Sequence, residues 1–217
     1  DYDALFEEKL NLLVKINEQE TISWKGKFRP ELKEQQILPR AVDNNLKMWV
    51  AVGGTPASVV RAGKLGLPVM FAIIGGNPEQ FQPLFDYYKQ AYEDAGHEMS
   101  KFQVGVHMHA FFGDDSKATA DYYYPVYAAQ MDRIGKSRGW PPFQRGQYDF
   151  GRSKHGHLII GDANEAAEKI IMMHELFGLT RFSAHMDVGA PAHNQMMRSI
   201  EIFGEKIAPQ VREALNK

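Results

Sequence analysis

The sequence contains no cysteine, which excludes disulfides, thiolate zinc sites and a cysteine nucleophile among these residues. That is compatible with a reducing compartment, and a cytoplasmic location is the expectation. There is no excess of either charge. The 25 basic and 27 acidic residues leave a formal net charge of -2, and no basic cluster stands out, so neither nucleic acid nor an anionic membrane has an electrostatic reason to bind. Long apolar runs are missing as well: stretches such as Leu67 to Ile74 fall far short of the roughly 20 residues a membrane span needs. The first residues do not read as a basic-then-apolar secretory leader. The chain begins at Asp1 rather than methionine, so the expectation is that the terminus made by the ribosome lies elsewhere.

What is present is an ordinary globular composition. The chain has 217 residues, 44% apolar and 24% charged, enough for a single domain over 1–217 with a sizeable core. Leu5, Phe6, Leu10, Leu13 and Ile16 recur at helical spacing and predict an amphipathic helix from about Tyr2 to Asn17. Thr21 to Phe28 alternates around Lys25-Gly26 and predicts a small hairpin. Residues 29–45 read as an irregular connection. A strand–turn–helix pattern then repeats. Strands are predicted at Leu46 to Val52, Leu67 to Ile74, Phe102 to Phe112 and Arg181 to Val188. The helices that follow them are predicted from Ala57 to Leu65, to about Ala95, to about Ile134 and from Pro191 to Leu215. The stretch from Gly135 to Gly161 is uneven, and Asp162 opens a further helix to about Phe177.

The strands are apolar runs rather than alternations, as expected when crossover helices bury both faces of a parallel sheet. Four strand–helix units, preceded by a helix and a hairpin, can be a small open sheet or half of an eightfold barrel. A complete barrel usually needs about 250 residues, and the leading helix has no strand before it. The fold class expected is therefore α/β, the C-terminal half of a (β/α)8 TIM barrel with the N-terminal strands absent.

Between the first of these strands and its helix lies Gly53-Gly54-Thr55-Pro56-Ala57-Ser58. The glycines allow positive φ and close approach of a ligand. Thr55 suits a helix N-cap and Pro56 the first helical position. The Thr55 and Ser58 hydroxyls and the free amides of the first turn would converge on one point, as a phosphate monoester requires. From these residues alone, a tight strand-to-helix turn with Thr55 as a plain cap is the simpler reading.

The stretch from Val52 through Gly53-Gly-Thr-Pro-Ala-Ser58 to Gly66-Leu-Pro68 and Gly75-Gly76 resembles the bacterial luciferase-like monooxygenases, where a strand leads into the helix that holds the flavin phosphate. Ile22 to Arg29 with Leu38-Pro-Arg40 resembles that family's insertion before this strand. Gly161-Asp-Ala-Asn-Glu-Ala-Ala-Glu-Lys-Ile170, Gly178-Leu-Thr-Arg-Phe182 and Arg198 to Arg212 resemble its C-terminal end. The resemblance implies a barrel binding FMN, or less often a deazaflavin, at the C-terminal ends of the strands. Gly54, Thr55 and Ser58, with Gly53, become the phosphate-binding set, and Ile73 a neighbour of the isoalloxazine ring. It implies an enzyme: a flavoprotein oxidoreductase, specifically a monooxygenase using dioxygen on a small organic substrate. It also admits a flavin reductase as partner and a homodimer. The family's first four strands, with a further phosphate-binding arginine, have no counterpart, so an isolated fragment would hold part of a flavin site, and no catalytic acid or base can be named.

His107 and His109 flank Met108 on a strand and so share a face. With His185 they would line the substrate side of a flavin pocket. With His185 and Asp187 they could instead ligate a divalent metal, as in a metal-dependent barrel hydrolase; satisfied pocket histidines, with no metal, are the simpler reading. His155-Gly156-His157 could be a mobile loop or a solvated connection. Arg145 and Arg152 read as solvated, Tyr122, Tyr123, Tyr124 and Tyr127 as packing, Met172, Met173, Met196 and Met197 as core filler, and Asp114 and Asp115 as helix caps. A third reading is a non-catalytic half-barrel that assembles with another copy through its open sheet edges.

Overall fold

The structure is a computed structural model and describes residues 1–43 and 45–216; Asn44, within the predicted connection, and Lys217 lie outside the described residues. The chain forms two compact units, 1–48 and 49–217.

In the first unit, α1 (Tyr2–Glu18) is followed by an antiparallel pair, β1 (Thr21–Trp24) and β2 (Leu32–Gln36). The hairpin exists, but its second strand lies beyond Phe28, inside the predicted irregular connection. The reason is local. The Glu8 carboxylate accepts hydrogen bonds from the Lys27 and Phe28 amides at 2.6 and 3.1 Å, so these amides cannot pair with β1. A Cβ on Gly26 would run into Glu8 Oε1, so only glycine lets the carboxylate approach. The carbonyls that end α1 are satisfied by Arg40, which donates to Ile16 and Asn17 at 2.7 and 3.0 Å.

The second unit is built on a parallel sheet of β3 (Val50–Val52), β4 (Val69–Ala72), β5 (Val104–Phe112), β6 (Leu158–Gly161) and β7 (Arg181–His185). β3 pairs with β4 and β4 with β5, while β5 pairs with both β6 and β7. The Ile73 amide donates to the His107 carbonyl at 3.0 Å, and the Gly113 amide donates to the Gly161 carbonyl at 3.1 Å. Residues 107 and 113 differ by an even number, so both groups leave the same edge of β5. β6 therefore continues along the edge that β4 occupies, beyond the end of β4, and β7 takes the opposite edge. The α/β class and the four predicted parallel strands are observed; β6 is an addition from the stretch read as uneven.

One face of the sheet is packed by helices α2 (Pro56–Lys64), α3 (Gln82–Asp94), α6 (Ala163–Phe177), α7 (His193–Ile202) and α8 (Ala208–Leu215). Val69, Phe71, Ile73, Val104, Val106 and Met108 are fully buried there. Phe71, Phe85 and Phe177 stack with centroids 3.9 Å apart at each step, tying β4 to α3 and α6. α7 and α8 are joined by a π turn, Phe203–Ile207. Pro209 has no N–H to continue an α-helical ladder, and a wider turn before it accommodates the loss. No helix among the described residues is long and apolar enough to cross a membrane.

α4 (Ser116–Lys136) and α5 (Arg145–Arg152) lie between β5 and β6. Asp115 caps α4, accepting from the Ala118 amide at 2.7 Å. Asp114 does not cap: it pairs with Arg198 at 2.6 and 2.9 Å, which holds its carboxyl down at about 2. Asp115→Ala should lower stability by about 1 kcal/mol, measurable as a shift in the urea midpoint, whereas a change within about 0.2 kcal/mol would show that the cap contributes nothing.

Candidate functional site

The strand-to-helix crook at 53–58 is open. Nothing lies within 4 Å of a Cβ built on Gly53 or Gly54, and Gly54 has φ +133°, a conformation that strains any other residue. Thr55 precedes α2 with extended backbone, φ -94° and ψ 125°, but its side chain makes no capping hydrogen bond. Its hydroxyl stands 2.9 Å from that of Ser58 instead. The plain-cap reading therefore lacks its defining bond. The exposed hydroxyl pair stands beside this open space at the C-terminal end of β3, while Pro56 has no amide and the Ser58 amide donates to the Thr55 carbonyl at 3.1 Å.

Strand register settles what lies beside the crook. Ala51 pairs with Met70, Met70 with Gly105, Ala72 with His107, His107 with Ser183 and His109 with His185. Side chains in register share a face, so these residues form the side of the sheet turned away from the helices already described. At its N-terminal end the Arg181 guanidinium lies over the Trp49 ring, 4.9 Å from the centroid. At its C-terminal end α4 crosses it, with the Tyr127 hydroxyl 2.9 Å from His109 Nδ1. Ile73 has no exposed surface, whereas Ile74 is 48% exposed. The side chain expected next to a flavin ring thus faces the helices, and the position that reaches the open side is Ile74. The cause is the two-residue period of a strand.

The histidines are brought together, bonded to one another and to a hydroxyl and a carboxylate. His107 Nδ1 is 3.3 Å from Ser183 Oγ, His107 Nε2 is 3.2 Å from His185 Nδ1, and His185 Nε2 is 2.8 Å from Asp187 Oδ1. Ring nitrogens committed to each other do not converge on a common point. Among the described residues no group of three or more His, Cys, Asp or Glu side chains is arranged to hold a metal ion. Burial, assisted by the neighbouring histidines, lowers the pKa of His109 to about 4 and also lowers that of His107.

His109 has a consequence for stability. Its ordinary value is 6.5, so on acidification the unfolded chain takes up this proton first and the folded state loses stability as pH falls through the window from 6.5 to about 4. Between about pH 7 and about pH 5 the loss should be about 2 kcal/mol. His109→Gln, which keeps a partner for Tyr127, should flatten the pH dependence of urea unfolding by that amount; an unchanged slope would place the titration elsewhere.

The other residues singled out from the sequence scatter. Tyr123 and Tyr127 are buried in a cluster with Phe111, Tyr148 and Leu158, as packing residues. Arg145 pairs with Asp121 and Asp149, and Arg152 donates to the Ile160 carbonyl at 3.0 Å, so both are structural. His155 pairs with Glu79 at 2.5 Å and His157 is bonded to the backbone of Gly76, tying this loop to the β4–α3 connection. Met173 is buried and Met197 half-exposed. A cleft of about 610 Å³ between α5 and α6, lined by Arg152, Lys154, Glu165 and Glu168 among others, touches neither the crook nor the histidines. Two residues of interest carry only faint signals in the sequence. Ser183 stands two residues before His185 on the same strand face, and Lys169 is the lone cation between Ala166, Ala167, Ile170 and Met173.

Comparison with known proteins agrees with this geometry. No curated protein matches the chain by sequence. Among solved structures, the monooxygenase RslO1 from Streptomyces bottropensis superposes with a TM-score of 0.76 at 21% identity, over 94% of this chain and 60% of that one. The oxygenating constituent of 3,6-diketocamphane monooxygenase from Pseudomonas putida, in complex with FMN, gives 0.64 at 17% identity, over 97% and 64%. The coenzyme F420 dependent tetrahydromethanopterin reductase from Methanopyrus kandleri gives 0.67 at 12%, over 94% and 63%. The chain thus spans between 60% and 64% of the length of these structures, and its α/β architecture corresponds to a part of their barrel. The model of the luciferase-like monooxygenases matches residues 1–180, and this chain belongs to the luciferase-like monooxygenase family.

Proposed function

We propose that the protein is an FMN-dependent monooxygenase that acts with dioxygen on a small organic substrate, the cofactor phosphate being held by Gly53, Gly54, Thr55 and Ser58. The observation that carries this is the Thr55 hydroxyl, which makes no capping bond and joins Ser58 in an open crook. The residues fit the group: a phosphate needs several donors and positive potential, and a helix N-terminus with two hydroxyls supplies both. The open glycines give the room. When bound, the flavin supplies the redox and oxygen chemistry. The chain's part is to orient it, with Ala72 and Ile74 as apolar surface beside the ring and His107, His109 and His185 on the substrate side. We read residues 1–217 as one luciferase-like domain. A homodimer and a flavin reductase that delivers reduced FMN belong to the same proposal.

A deazaflavin is the second reading, favoured by the likeness to a coenzyme F420 dependent reductase; it would make the reaction a hydride transfer rather than an oxygenation. Fluorescence titration of the protein with FMN and with a deazaflavin separates the two. Saturable, tighter binding of FMN supports the first reading, a reversed preference supports the second, and binding of neither overturns both.

A further inference from the structure

We propose that Ser183, His107, His185 and Asp187 form a one-proton relay along the open sheet face, in which protonation of His185 reverses every hydrogen bond and turns Ser183 from a proton-engaged hydroxyl into a proton donor toward the pocket.

The direction of the chain follows from what each atom can do. The Asp187 carboxylate only accepts, so His185 carries its proton on Nε2 at the 2.8 Å contact. A neutral His185 then presents a lone pair at Nδ1, and His107 must donate to it from Nε2 across 3.2 Å. His107 is left with a lone pair at Nδ1, which the Ser183 hydroxyl meets at 3.3 Å. Every donor in this state points from Ser183 toward Asp187. One added proton on His185 Nδ1 makes that atom a donor. His107 must then accept at Nε2 and carry its own proton on Nδ1, so Ser183 Oγ becomes an acceptor and its hydroxyl hydrogen is free to face the pocket.

Burial and the nearby His185 lower the proton affinity of His107, and the ring beside the carboxylate is the one the contacts leave to take an added proton. The other groups facing the pair do not compete. His109, whose ring lies 5.3 Å from that of His185, is kept neutral by burial and bonded to Tyr127. The Tyr123 hydroxyl donates to the Val188 carbonyl at 2.9 Å. Asp187, its side chain 75% exposed, only accepts from His185 Nε2 and takes no part in the transfer.

Delivery balances. An acceptor oxygen or nitrogen of a bound molecule takes the Ser183 hydroxyl hydrogen. Ser183 Oγ recovers a hydrogen from His107 Nδ1, and His107 Nε2 takes one from His185 Nδ1. The molecule has gained one proton, His185 has lost one, and the chain stands in its neutral polarity. The substrate class is thus one that develops an oxyanion or a basic nitrogen near Ser183. That role rests on the strand mouths being the site, as in the function proposed above; the polarity reversal itself does not.

The test is nitrogen NMR of histidine-labelled protein, with His107→Asn and His185→Asn used for assignment. At neutral pH both rings should show the Nε2–H tautomer. On acidification His185 should gain a proton while His107, still neutral, switches to the Nδ1–H tautomer at the same pH. Asp187→Asn, at an exposed position, should move that switch to lower pH, and gives a readout even if the histidine variants fail to fold. A His107 that keeps its Nε2–H tautomer while His185 titrates, or a His185 that carries Nδ1–H at neutral pH, overturns the relay. No flavin enters the measurement, so failure of the relay and failure of FMN binding are read independently.

Discussion

Thr55→Ala combined with Ser58→Ala is expected to weaken FMN binding about 100-fold. In the proposed site each hydroxyl would donate to a doubly charged group, and a hydrogen bond to a charged group contributes about 1.5 kcal/mol or more, close to a tenfold factor in affinity. The two are 2.9 Å apart, so they serve one ligand group and are coupled, and the two single variants are expected to depart from simple addition. Thr55→Ser keeps the donor and should stay within about threefold of the parent. The hydroxyl pair is exposed and Thr55 caps nothing, so the melting temperature of the flavin-free double variant should not move. Binding within about threefold of the parent in the double variant would remove the phosphate assignment; a lost fold would show instead as a shifted melt.

Lys169→Met should destabilise the protein by about 4 kcal/mol, roughly 10 °C in melting temperature for a unit of this size. The Lys169 side chain is buried, yet its ammonium donates to the Ser153 and Leu158 carbonyls at 2.6 and 2.7 Å and lies 3.4 Å from those of Gly151 and Arg152. Three of these four acceptors are the end of α5, so Lys169 adds to the backbone bonds that the Ser153 and Gly156 amides make there. Burial pushes its pKa down to about 7, with Arg152 adding to the effect. The carbonyls oppose this, because they can only accept and so favour the ammonium, and we expect the cation to persist at neutral pH. Methionine fills the same volume but leaves the two short bonds unmade at about 1.5–3 kcal/mol each. Equal melting temperatures for parent and variant would mean that α5 ends without the cation.

Much of the fold was written in local patterns. Asp162 and Phe177 bracket α6 as the sequence indicates, because a cap and an apolar stripe are local signals. β5 was legible as an apolar run broken only by His107 and His109. α5 and β6 were not: an eight-residue helix with two glycines and a four-residue strand carry too little periodicity, and Lys169 and the β5 edge hold them from outside. At the candidate site, the crook of Gly54, Thr55 and Ser58 was visible as a turn because it is contiguous in sequence. That Ile73 is buried and Ile74 half-exposed was not, because one residue along a strand exchanges helix packing for the open side.

The sequence by itself determined the strand–helix order, the crook after β3 and the shared face of His107 and His109, all set by backbone propensity and by strand and helix periods of roughly 2 and 3.6 residues. Only the tertiary structure decided that His107 meets Ser183 and His185, 76 and 78 residues away, and that Thr55 turns to Ser58 instead of capping α2. Register between parallel strands depends on how the crossover helices pack. Which nitrogen faces which lone pair is therefore a property of the assembled sheet and of no single segment.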